Sequence, residues 1–140
     1  METKTKITIE ATVQANVHKV WETWTEPHHI IKWNFASDDW HSPAAENDLR
    51  TGGKFQSTMA AKDGSMSFDF SGTYTLVIPH QQIAYTLDDG RTVQIHFTAS
   101  GKETKITETF EAEATNPIDM QRMGWQAILN NFKKYTESLL

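Results

Sequence analysis

The stretch that most constrains this chain is its last, Asn116 to Leu140. Asn116 can cap a helix, Pro117 suits its first position, and Asp119 places negative charge in the first turn. Ile118, Trp125, Ile128, Leu129, Phe132 and Leu139 then recur along one face of a 3.6-residue helix. Lys133 and Lys134 lie near the far end, where positive charge suits the macrodipole. Such a helix would run roughly 35 Å at about 1.5 Å per residue. That is long for a 140-residue chain, so something broad must cover its apolar face.

The cover comes from the middle of the chain. Gly52-Gly53 opens a run with Phe55, Ser57, Met59 and Ala61 on one face. Asp63-Gly64 signals a turn, and Met66, Phe68, Phe70, Gly72 and Tyr74 alternate beyond it until Pro79. Ile83, Tyr85 and Leu87 follow; Asp89-Gly90 marks a hairpin into Val93, Ile95, Phe97 and Ala99. Ser100-Gly101 turns again into Ile106, Glu108, Phe110 and Ala112. Nearer the start, Ile7, Ile9, Ala11 and Val13 form a half-buried strand. Asn16 then caps a short helix with Val17, Val20, Trp21 and Trp24. Glu26-Pro27 breaks it, and a second short helix carries Ile30, Ile31 and Trp33. Asn34 to Asp48 shows no period and reads as an ordered loop. The order predicts one α+β domain over residues 1–140, a curved antiparallel sheet around the long helix. Bulges near Gly53 or Gly72 would supply the curvature.

Charge and composition exclude several functions. A formal net charge of −5 and no basic run argue against nucleic acid. No apolar run approaches about 18 residues, so no helical membrane span is expected. Met1 to Glu10 alternates rather than forming the apolar block of a leader, and a cytoplasmic location is expected. With no cysteine, thiolate chemistry and disulfides are absent. No phosphate loop, nucleophile elbow or metalloprotease signature occurs, so neither a cofactor nor a metal is expected. His28 and His29, as helix neighbours, are expected to point apart and so not to share a metal, and His18, His80 and His96 to lie on the surface.

The chain resembles the SRPBCC (START-like, helix-grip) superfamily, and within it bacterial single-domain proteins related to the activator of heat-shock-protein-90 ATPase. The stretches that carry the resemblance are Trp24-Thr25-Glu26-Pro27, Trp33-Asn34, Asp38-Asp39-Trp40-His41 and Glu46-Asn47-Asp48-Leu49-Arg50. Gly52-Gly53-Lys54-Phe55, Lys62-Asp63-Gly64-Ser65, Phe68-Asp69-Phe70, Gly72-Thr73-Tyr74 and Gly124-Trp125-Gln126 continue it. The resemblance implies a cavity between sheet and C-terminal helix, used by some members for apolar ligands and by others for cyclase chemistry. The co-chaperone that names the family carries a further N-terminal domain, for which this chain has no room. Chaperone activation is therefore not expected to carry over.

Strand phase turns Phe55, Met59, Phe68, Phe70, Tyr85, Phe97 and Phe110 inward, with Trp33 and Trp40 beside them, as a wall for an apolar or aromatic ligand. Met120 and Met123 would add a flexible wall from the helix. Gly124, costing about 1 kcal/mol inside a helix, implies close packing or a need for room. Glu108 shares the inward face with Ile106 and Phe110, and a buried carboxyl of this kind is the candidate catalytic residue. Asp38, Asp39 and His41 stand together as a compact carboxylate–imidazole group, read as ordering a loop with Trp40 at the cavity mouth. The expected function is binding of a lipid- or polyketide-like molecule, with Glu108, Tyr85 and His41 as polar contacts. The alternatives are a cofactor-free cyclase or hydrolase using Glu108, and a co-chaperone-like interaction module. A monomer or weak homodimer fits all three readings.

Overall fold

Alternation along β1 (Lys6–Val13) buries Ile7, Ile9 and Val13 on one face, and the strand leads directly into a capped helix. The Asn16 side chain accepts from the Lys19 N–H at 2.9 Å and starts α1 (Val17–Thr25). Glu26 takes extended backbone (φ −82°, ψ 127°), which ends α1 and lets Pro27 open α2 (Pro27–Ile30). The strands that follow are β2 (Trp40–Asn47), β3 (Lys54–Ala61), β4 (Ser67–Ile78), β5 (Gln82–Leu87), β6 (Thr92–Ser100) and β7 (Glu103–Glu111). The long helix α3 (Ile118–Ser138) ends the chain. This computed structural model describes residues 5–139; residues 1–4 and 140, included in the readings of the two ends, lie outside them.

The described strands form one antiparallel sheet in the order β1-β7-β6-β5-β4-β3-β2. It curls around α3, as the helix-grip expectation required. The helix packs against β1 at one side of the sheet. Thr23 of α1 meets Thr136 of α3 hydroxyl to hydroxyl at 3.1 Å, and the Trp33 indole N–H donates to the Thr23 carbonyl at 2.9 Å. Both groups are buried, so these bonds satisfy polar atoms that would otherwise cost stability. They fix one end of the helix. Its other half stands over β4, β5 and β7 with room beneath.

Several sequence expectations need correction. Asn34 to Asp48 is not all loop, because Trp40–Asn47 pairs with β3 as an edge strand. Pro43 and a register shift between His41 and Ala44 interrupt its alternation, and proline is tolerated there because the strand lies at an edge. The other register shift falls between Tyr74 and Leu76, just beyond Gly72 rather than at it. Gly72 itself stays in register, but a Cβ there would meet the Thr86 carbonyl at 2.5 Å and the Phe55 ring at 3.0 Å. Asn116 does not cap α3; Pro117 holds that position without a side-chain bond, and the Asn116 amide donates to Glu113 instead. Leu139 is exposed and not a core anchor, whereas Gln121 and Thr136 are buried. The Lys133 ammonium is engaged by Glu137 at 2.6 Å and the Thr12 carbonyl at 2.7 Å.

Candidate functional site

A cavity of about 320 Å³ lies between the first half of α3 and the concave face of the sheet. Its shape follows from unequal side chains. Phe55 leans over Gly72, which has no Cβ to hold it off, and packs edge-on to Tyr85 with ring centres 4.7 Å apart. Ser57, buried on β3 in phase with Phe55 and Met59, is too small to fill the space behind it. Across the gap Trp125 stacks on Phe110 at 3.9 Å and 9°, and meets Phe70 edge-on at 5.8 Å. Gly124 beside it has nothing within 4 Å of where a Cβ would stand, so the helix leaves room there instead of packing closely. Trp24, Trp33, Ile30, Ile128 and Leu129 close the wall behind.

Glu108 lines this cavity from β7. The register sets it beside Ile9 of β1 and Ile95 of β6, both buried, and it is itself only 6% exposed. Burial alone raises its carboxyl from 4.5 to about 8, with no hydrogen bond or ion pair among the described residues to hold it down. At neutral pH it is mostly the protonated acid, a hydrogen-bond donor between two buried isoleucines on the cavity wall. Tyr85 is pushed well up, first by burial and then by the nearness of Glu108. Burial likewise raises Tyr74, partly offset by its hydrogen bond to Asn47. Asn47 donates in turn to the Thr25 carbonyl at 2.6 Å, so this corner of the lining is already satisfied.

Of the residues expected to face a ligand, Trp33, Phe55, Met59, Phe68, Phe70, Tyr85 and Glu108 line the cavity. The others stand elsewhere. Phe97 packs between Trp21 and Trp24, at 5.4 and 5.7 Å, in the core below α1. Phe110 lies one layer behind Trp125. Trp40 is half-buried against Phe68 at 5.8 Å, outside the lining, and His41 is exposed. Asp38 and Asp39 are exposed, and Asp39 accepts from Ser37, so the loop residues do not assemble an acid–base site with His41. Met120 and Met123, 59% and 72% exposed, point away from the sheet. Gln121 takes the inward place in their stead, accepting from the Glu113 N–H at 2.9 Å and donating to the Asn116 carbonyl at 2.7 Å.

Sequence reasoning does not single out Asn34, Asn47, Ser57, Arg91, Glu113 or Gln121, all of which reach the lining. Two carry a usable signal. Ser57 shares the phase of Phe55 and Met59, and Gln121 precedes Trp125 and Ile128 by four and seven residues. Another expectation fails outside the cavity. The rings of His28 and His29 do not diverge but lie 4.2 Å apart.

The family model described as Activator of Hsp90 ATPase homolog 1-like protein matches residues 14–137. An AHSA1-like protein from Aeromonas hydrophila, known from its solution structure, is 44% identical with a TM-score of 0.91; the match covers 96% of this chain and 94% of that one. A protein from Cytophaga hutchinsonii is 58% identical with a TM-score of 0.82, over 96% and 93% of the two chains. At 18% identity, a protein of Nitrosomonas europaea shares the fold with a TM-score of 0.82, over 99% and 98%. No curated protein matches.

Proposed function

This chain belongs to the Activator of Hsp90 ATPase homolog 1-like family, and on that premise we propose that it binds an apolar small molecule between sheet and C-terminal helix. The observation that carries the reading is the pairing of an aromatic-walled cavity with a buried carboxyl, Glu108, on its wall. A volume of about 320 Å³ falls at the small end of the range for small-molecule sites. Phe55, Phe70, Tyr85 and Trp125 offer flat apolar surface to a ring or an alkyl chain. Protonated Glu108 offers one donor, which selects ligands bearing a carbonyl, ether or hydroxyl oxygen over pure hydrocarbons. A polyketide-like or short lipid-like molecule meets both conditions.

The test uses 2-acetylnaphthalene, an aromatic ketone, followed through tryptophan emission. Saturable one-to-one binding is expected, lost in Ser57→Trp, whose indole fills the gap beside Met59. Equal binding by that folded variant, or none by the parent across a panel of ketones, phenols and fatty acids, would remove the proposal. A second reading rests on the same carboxyl. A pKa of about 8 lies close enough to neutrality for proton transfer to a bound carbonyl compound. For that reading, Glu108→Gln should still bind a substrate but not turn it over.

A further inference from the structure

The α1–α2 junction gathers a second set of chemical groups, none of which lines the cavity. Glu26 ends one helix and starts the next, and Pro27 forces the turn. As a result Glu26, His28 and His29 each bring one ligand atom within 4.8 Å of the others. The Glu26 carboxylate lies 3.6 Å from His28 Nε2 and 3.8 Å from His29 Nε2. Glu22, one turn back on α1, places its carboxylate 3.6 Å from His29 Nε2. Tetrahedral zinc with bonds of about 2.1 Å holds its ligand atoms roughly 3.4 Å apart. The carboxylate–imidazole gaps exceed this by a few tenths of an ångström, and the three ligand atoms of Glu26, His28 and His29, all within 4.8 Å of one another, close on an ion by side-chain rotation.

His29 is also prepared from behind. Its Nδ1 lies 2.7 Å from the Tyr135 hydroxyl of α3, the position taken by the outer partner of a metal-bound histidine. With Nδ1–H donating to that oxygen, Nε2 is left as a lone-pair donor aimed at the carboxylates. The side chain of His29 is 12% exposed and held, whereas His28 and Glu26, at 70% and 46%, leave an entry path. Lys19 reaches this group at Glu22, 3.8 Å away, and is exposed enough to be displaced.

We propose that Glu26, His28 and His29, with Glu22 or a water in the fourth place, bind a divalent zinc-class cation. Two imidazoles and a carboxylate favour zinc, nickel or copper over calcium and magnesium, which take oxygen ligands. Because Tyr135 belongs to α3, an ion here would clamp the helical junction to the long helix and raise stability by mass action.

The experiment uses tag-free, chelator-treated protein and two probes, zinc by calorimetry and cobalt(II) by its visible bands. Saturable uptake of one ion, tetrahedral cobalt bands and a higher unfolding temperature are expected. His28→Asn, at an exposed position, and Glu26→Gln, whose side chain makes no helix-cap bond, should each weaken binding about tenfold or more, and Tyr135→Phe about tenfold. His18→Asn is the control, since His18 and His80 form the other close imidazole pair, at 3.2 Å. Parent-like affinity in His28→Asn, or loss of uptake in His18→Asn instead, would overturn the assignment.

Discussion

Replacing Glu108 by Gln keeps the shape of the side chain and removes its titration. Unfolded, the carboxyl titrates near 4.5; folded, burial holds it at about 8. Between those values the folded protein carries the extra proton, so stability falls as pH rises, the reverse of an ion-paired carboxylate. Three to four pH units at about 1.4 kcal/mol each make the full cost about 5 kcal/mol, reached above the folded value. At pH 7 the unfolded chain is already ionised and the folded one mostly is not, which leaves about 3 kcal/mol of that cost in place. Gln bears none of it. The variant should therefore match the parent within about 1 kcal/mol at pH 5 and exceed it by about 3 kcal/mol at pH 7. Near pH 7 that corresponds to roughly 9 °C, at about 3 °C per kcal/mol for a domain of this size. Urea unfolding of both proteins from pH 5 to 9 measures the difference directly. Other carboxylates titrate alike in the two and cancel. A difference that does not grow with pH, or a variant weaker than the parent at pH 8.5, would refute the reasoning, since Glu108 would then ionise in place at little cost.

The two glycines beside the cavity should behave oppositely. Gly72→Ala drives a methyl onto the Thr86 carbonyl and the Phe55 ring and should lose about 1–3 kcal/mol in urea unfolding. Gly124→Ala meets nothing within 4 Å and should gain about 1 kcal/mol from helix propensity; a loss would mean that the helix is approached there. Tyr74→Phe removes the donor to Asn47 and should cost about 1 kcal/mol. The same change should shift the Asn47 side-chain amide resonances, whereas an unmoved signal would show that the bond is not made in solution.

Glu108 is legible because β7 runs from Glu103 to Glu111 in unbroken register, so a two-residue period carries its phase from Ile106 to Phe110. The hairpin at Asp89-Gly90 is legible for a local reason: Gly90 stands at φ 92°, where glycine is favoured. β2 is hidden by Pro43 and the register shift, which erase alternation over the few residues where it would show. In α3 the methionines draw attention through apolar character, but helix rotation decides. Gln121 and Trp125 are four residues apart and face inward together, while Met123 falls on the far side. Adjacent residues point about 100° apart on an ideal helix, which predicts diverging imidazoles. Yet α2 is one turn long, and the rings of His28 and His29 swing together above it.

The central claim is that a small molecule enters the chamber beneath the first half of α3. Intermolecular NOEs between bound 2-acetylnaphthalene and the aromatic protons of the parent protein test it most directly. The account predicts contacts to Trp125, Phe70 and Tyr85, with the ketone end nearest Glu108. Contacts confined to exposed Met120, Met123 or half-buried Trp40, with no signal from those three rings, would contradict it.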